Sequence, residues 1–109
     1  VWAVDIDPQA LLACESNALN NGVAQSIVVS QPHQLPTQPC EVLLANILAR
    51  PLIELAPRFS ALVKAQGRIA LAGLLSDQAA AVQAACEPWF YFEPSQQRED
   101  WSLLTGIRC

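Results

Sequence analysis

The 109-residue sequence contains no methionine, not even at position 1, so it does not begin where translation would begin and is expected to be a piece of a longer chain. It has no surplus of positive charge either. Six basic residues stand against ten acidic ones, a formal net charge of −4 with histidine neutral. That balance lacks the cationic surface that phosphate-backbone binding needs, and direct nucleic-acid binding is not expected. No apolar run approaches the roughly 18 residues of a membrane helix; the stretch from Val42 to Ala49 is interrupted by Asn46. No charged-then-apolar leader opens the chain, so the expectation is a cytoplasmic protein without a membrane partner. Cys14, Cys40, Cys86 and Cys109 are far apart with no C-x-x-C pair, and the single histidine, His33, has no ligand partner nearby. Free thiols and no metal site follow.

What is present is a chain 52% apolar and 15% charged, the balance of one compact domain with a modest core. Val1 to Val4 is a short strand-like run that ends at Asp5-Ile6-Asp7-Pro8, where the hydrophobic period changes. Asp7 suits the cap of a helix over residues 8–20 and Pro8 its first position, while Asn20-Asn21-Gly22 supplies the left-handed stop. Ser26 to Ser30 reads as a buried strand and Gln31 to Pro39, with three prolines, as a loop. Glu41 to Asn46 is apolar from Val42 to Ala45 and polar at its last residue, as in a central parallel strand covered on both faces. A helix is expected over Pro51 to Lys64, bent or interrupted at Pro57; Gly67 then turns the chain into a strand from Arg68 to Ala72. Ser76 resembles the cap of an alanine-rich helix ending at Cys86, and Trp89 to Glu93 and Asp100 to Ile107 form a hairpin through the polar segment Pro94 to Glu99. The alternation predicts a three-layer α/β fold, mostly parallel, with an antiparallel hairpin at its end.

Ligands of open α/β sheets sit at the carboxyl ends of strands, which directs attention to Asp5 and Asn46. A carboxylate after a strand accepts from both hydroxyls of a ribose, with Ile6 beside it for the base; alternatively Asp5 shares the helix cap with Asp7. Asn46 ends the most apolar strand, where its amide either accepts an N–H from a substrate amine or caps the following helix.

Val4-Asp5-Ile6-Asp7-Pro8-Gln9-Ala10, Asn20-Asn21-Gly22-Val23, Leu44-Ala45-Asn46-Ile47-Leu48-Ala49 and Pro51-Leu52-Ile53-Glu54-Leu55-Ala56-Pro57 together resemble the ribosomal protein L-eleven methyltransferase family, the PrmA type of class I S-adenosylmethionine-dependent enzymes. The resemblance continues through Gly67-Arg68-Ile69-Ala70-Leu71-Ala72-Gly73-Leu74-Leu75 and Glu87-Pro88-Trp89-Phe90 to Glu99-Asp100-Trp101 and Gly106. It implies a Rossmann-like sheet and a protein N-methyltransferase acting on lysine ε-amino or N-terminal α-amino groups of a large-subunit ribosomal protein. Carried over by position, the resemblance implies that Asp5 holds the cofactor's ribose, that Ile6 touches its adenine, and that Asn46 lies beside both the methionine portion and the incoming amine. The family's glycine-rich turn falls upstream of Val1, and none of the glycines at 22, 67, 73 and 106 forms one. Residues 1–109 are thus expected to be the carboxyl-terminal portion of a single catalytic domain without its first strand. Such a piece is expected to be poorly stable or to self-associate through exposed strand edges, and to be inactive alone.

A lysine amine with a pKa near 10.4 must lose its proton before it attacks a sulfonium methyl, and a neutral amide orients it without favouring the charged form as a carboxylate does. No nucleophile or metal is required. Two other readings stay open: a nicotinamide-dependent dehydrogenase, for which Tyr91, Lys64 and His33 are badly spaced, and a non-catalytic binding module. Trp2, Trp89, Phe90 and Trp101 are read as packing, Glu99-Asp100 as a solvated turn, and His33 as a surface residue without a role.

Overall fold

A computed structural model describes residues 1–35 and 38–109; residues 36 and 37, within the expected proline-rich loop, lie outside the described residues. The chain forms two compact units, Val1–Thr37 and Gln38–Cys109.

In the first unit, strand β1 (Trp2–Val4) pairs in parallel with β2 (Val28–Ser30), and helix α1 (Pro8–Asn20) connects them. Both ends of α1 follow from the local sequence. Asp7 Oδ1 accepts from the Gln9 N–H at 2.9 Å and Pro8 occupies the first turn. At the other end Gly22 adopts φ 70, and the Val23 N–H reaches back to the Ala18 carbonyl at 2.9 Å, which satisfies a carbonyl the helix leaves free. The strand expected from Ser26 is shorter and less buried. Residues Ala24–Ser26 form a 3-10 turn closed by the Ser26 N–H on the Val23 carbonyl, so that donor is unavailable to a ladder, and Val28 is exposed. His33 lies in a second 3-10 turn, Pro32–Gln34.

The second unit contains β3 (Cys40–Asn46), α2 (Ala49–Leu62), β4 (Val63–Leu75), α3 (Ala79–Cys86), β5 (Phe90–Phe92), β6 (Gln96–Arg98) and β7 (Trp101–Arg108). Its sheet runs β3-β4-β7-β5, with β6 also on β7; β3 and β4 are parallel, and every ladder to β7 is antiparallel. The expected α/β class with parallel pairing and a carboxyl-terminal antiparallel part is thus the one observed. Leu52, Ala56 and Phe59 of α2 and Val82 and Cys86 of α3 bury themselves against Ile69, Leu71 and Leu74 of β4, Leu104 and Phe90. Burial pushes the Cys86 thiol up to about 11, leaving it protonated and inert, and all four cysteines are unpaired.

Five expectations for this unit are corrected. Strand β3 is covered on one face only: Leu43 and Ala45 pack on the core, whereas Val42 is 55% and Leu44 78% exposed, because α2 and α3 both lie on the other side of the sheet. Helix α2 runs through Pro57 uninterrupted, its buried stripe of Leu52, Ala56 and Phe59 outweighing the one hydrogen bond that proline removes. Strand β4 extends well beyond Arg68–Ala72 in both directions, and the left-handed residue near its start, inside the strand, is Gln66 (φ 69), not Gly67. Gly67 lacks a side chain for a different reason, since a Cβ there would stand 2.9 Å from the Glu41 carbonyl oxygen. Ser76 caps nothing with its hydroxyl, which donates to the Asp100 carbonyl at 3.1 Å; Gln78 accepts the Leu75 N–H instead. Finally, the polar segment Pro94 to Glu99 contains the strand β6, paired Gln96↔Leu103 to Arg98↔Trp101.

Candidate functional site

In the first unit, Asp5 follows the last residue of β1, and its N–H reaches the Ser30 carbonyl at 3.4 Å. Its Oδ1 accepts from the Asp7 N–H at 2.9 Å, which fixes the carboxylate while Asp7 serves α1. Asp5 therefore braces the turn and Asp7 caps the helix, so both parts of the simpler reading are present. A carboxylate has about four acceptor positions; one is used, and the exposed remainder faces no described donor. Ile6 beside it is 81% exposed. Ser30 at the end of β2 is only 4% exposed, and its hydroxyl has no partner among the described residues.

In the second unit, Asn46 ends β3 opposite Ala72 of β4. It is exposed, contrary to the buried amide expected, because the outer face of β3 is open. It is also not the helix cap: Leu48 occupies that position and no side chain bonds there. The Asn46 amide makes no hydrogen bond to a described residue, so its oxygen and NH₂ are both available.

Gly73 sets the position of that amide. Between Leu71 and Leu74 the register of β4 against β7 slips, three residues spanning two, and Gly73 takes up the extra residue at φ 81. A Cβ on Gly73 would lie 2.6 Å from Asn46 Oδ1 and 2.7 Å from the Ile47 carbonyl oxygen. The bulge thus brings bare backbone against the amide. A groove of about 880 Å³ opens there, walled on one side by Asn46, Ile47 and Gly73 and on the other by Arg98, Trp101 and Ser102. Trp101, read from sequence as packing, is 51% exposed and lines it, whereas Phe90 is core as expected.

Sequence reasoning singled out Asp5, Ile6 and Asn46 but passed over Ser30 and Gly73. The same rule, a residue unsuited to strand packing at a strand's carboxyl end, marks Ser30 after Val28-Val29 and Gly73 within Leu71-Ala72-Gly73-Leu74.

The family model described as ribosomal protein L11 methyltransferase (PrmA) matches residues 1–108. A protein of Marinobacter nauticus carrying that name is 48% identical over 109 residues, covering 99% of this chain and 37% of its own length. The crystal structure of a ribosomal protein L11 methylase from Lactobacillus delbrueckii subsp. bulgaricus superposes with a TM-score of 0.90 at 25% identity, over 99% of this chain and 57% of that one. An RNA methyltransferase of Salinibacter ruber in complex with S-adenosyl-L-homocysteine shares the fold, with a TM-score of 0.74 at 14% identity over 98% of this chain and 64% of its own. The chain spans just over a third of the length of the curated relatives it matches. It belongs to the ribosomal protein L11 methyltransferase (PrmA) family.

Proposed function

We propose that this chain is part of a protein N-methyltransferase that moves a methyl group from S-adenosylmethionine to lysine ε-amino or N-terminal α-amino groups of ribosomal protein L11, working in the cytoplasm. Residues 1–109 are, in this reading, the carboxyl-terminal portion of one methyltransferase domain. The observation that carries it is the Asn46 amide: without a hydrogen-bond partner among the described residues, at the end of β3, held against bare glycine backbone, and facing a groove that no described carboxylate, thiol or imidazole lines. Family membership supports it, as does the S-adenosyl-L-homocysteine carried by the Salinibacter ruber protein of the same fold.

The residues fit the cofactor. The Asp5 carboxylate, with one oxygen position already fixed by the Asp7 N–H, retains acceptors for a ribose diol, and exposed Ile6 offers an apolar surface for a base. When bound, S-adenosylmethionine supplies an already activated methyl group on a sulfonium. The remaining task is aiming: the Asn46 oxygen accepts an N–H of the neutral amine and directs its lone pair, without stabilising the ammonium form as a carboxylate would. In this reading the same amide also contacts the methionine portion. The dehydrogenase reading lacks a proton carrier here, because Lys64 pairs with Glu41, Tyr91 sits on β5, His33 lies in the 3-10 turn of the first unit, and none lines the groove.

Asp5→Ala in the full-length protein is expected to weaken S-adenosylmethionine binding by about 1.5–3 kcal/mol, the range for hydrogen bonds to a charged group. Calorimetric titration measures it, and an unchanged affinity removes Asp5 from the site.

The purified 109 residues, by contrast, are expected to be poorly stable or to self-associate, without transferring methyl groups. Among the described residues β3 pairs with β4 alone and β1 with β2 alone, and the outer face of β3 carries exposed Val42 and Leu44. Sedimentation showing a monomer with measurable methyl transfer contradicts this.

A further inference from the structure

The groove beside Asn46 carries a single formal charge, and it is positive. Of the residues that line it, Arg98 alone is ionised. Its guanidinium is exposed and takes no part in an ion pair with a described residue. The hairpin that bears it is firmly held. Arg98 stands opposite Trp101, Glu99 between them adopts the left-handed φ 57, and the base of the turn is tied to the end of β4. The ties are the Ser76 N–H on the Asp100 carbonyl at 2.8 Å, the Ser76 hydroxyl on the same oxygen, and the Ser102 hydroxyl donating to that of Ser76.

Resting on the methyl-transfer reading above, we propose that Arg98 is a positioning residue whose charge holds the acceptor amine in its neutral form. A lysine arrives as an ammonium and must shed its proton to solvent water, since among the described residues no carboxylate, imidazole or other base lines the groove. A like charge nearby disfavours the ammonium and lowers the amine's pKa in the complex. Other charged groups on the elements that adjoin the lining residues in sequence are Glu99 and Asp100 in the turn, Asp77 in the 3-10 turn after β4 and Arg50 at the start of α2. None of them lines the groove, and Arg50 is paired with Glu54. A unit charge a few ångströms away in a water-filled groove shifts a pKa by about 0.5 unit, a factor of about three in neutral amine below that pKa.

The test is the pH profile of kcat, which reports groups in the enzyme–substrate complex. It uses the full-length protein, saturating S-adenosylmethionine and purified ribosomal protein L11. Arg98→Gln is expected to move the rising limb of the profile about 0.5 unit to higher pH. It should lower kcat about threefold at neutral pH, with convergence on the unsubstituted protein once the amine is deprotonated. Arg98→Glu should move it further in the same direction, Arg98→Lys should restore it, and cofactor affinity should stay constant. A change in KM alone, or a uniform loss of kcat at every pH, overturns the proposal and leaves methyl transfer standing. Absence of transfer by the unsubstituted protein overturns both.

Discussion

Replacing Gly73 by alanine is expected to destabilise the full-length protein by about 2–4 kcal/mol and to lower methyl transfer about a hundredfold. Two effects add. At φ 81 an alanine is strained whatever its surroundings, and its Cβ would stand within 2.7 Å of both Asn46 Oδ1 and the Ile47 carbonyl, one of them backbone that cannot swing aside. The amide and the start of the loop to α2 must then move, and a displacement near 1 Å at an aiming group costs about a hundredfold in rate. Gly22 is an internal control. It has φ 70 but open space where a Cβ would go, so Gly22→Ala exacts only the conformational cost, about 1–2 kcal/mol, with activity retained. Urea denaturation and turnover measured on both variants check this. Equal losses for the two glycines show that the contact with Asn46 is unimportant.

Asn46→Ala is expected to reduce turnover about a hundredfold while changing S-adenosylmethionine affinity far less, because orientation of the amine matters chiefly in the transition state. Since Asn46 is exposed and is not the cap of α2, its removal leaves no buried group unpaired and the fold should survive. Asn46→Asp preserves the shape but places a negative charge beside the amine and favours its ammonium form, so it too should be slow at neutral pH. Steady-state kinetics with ribosomal protein L11, alongside calorimetry for the cofactor, separates these effects. Unchanged turnover in Asn46→Ala means that another group aims the amine.

The features legible in the sequence were those written locally. The Asp7-Pro8 start and Gly22 stop of α1 rest on backbone groups a few residues away, and both stand where expected. The strand-end rule located Asp5 and Asn46 because a polar residue after an aliphatic run contrasts with its neighbours. What escaped depended on partners remote in sequence. Whether β3 is covered on one face or two is decided by where α2 and α3 pack, and composition alone could not separate an exposed Leu44 from a buried Leu43. Strand β6 consists of Gln96, Gln97 and Arg98, with no strand propensity of its own; it pairs because β7 offers a free edge there. Gly73 is needed by a bulge defined by the register of β4 against β7, and Trp101 becomes a groove wall through that same ladder. Pro57 reads as a break in any local rule, yet the buried stripe of α2 carries the helix past it.

The most direct measurement is mass spectrometry of purified ribosomal protein L11 after incubation with S-adenosylmethionine and the full-length protein, with the Asn46→Ala variant in parallel. The predicted result is methyl groups on lysine ε-amino or N-terminal α-amino nitrogens, accumulating about a hundredfold more slowly with the variant. L11 left unmodified by the full-length protein, or methylated equally fast by the Asn46→Ala variant, contradicts the account.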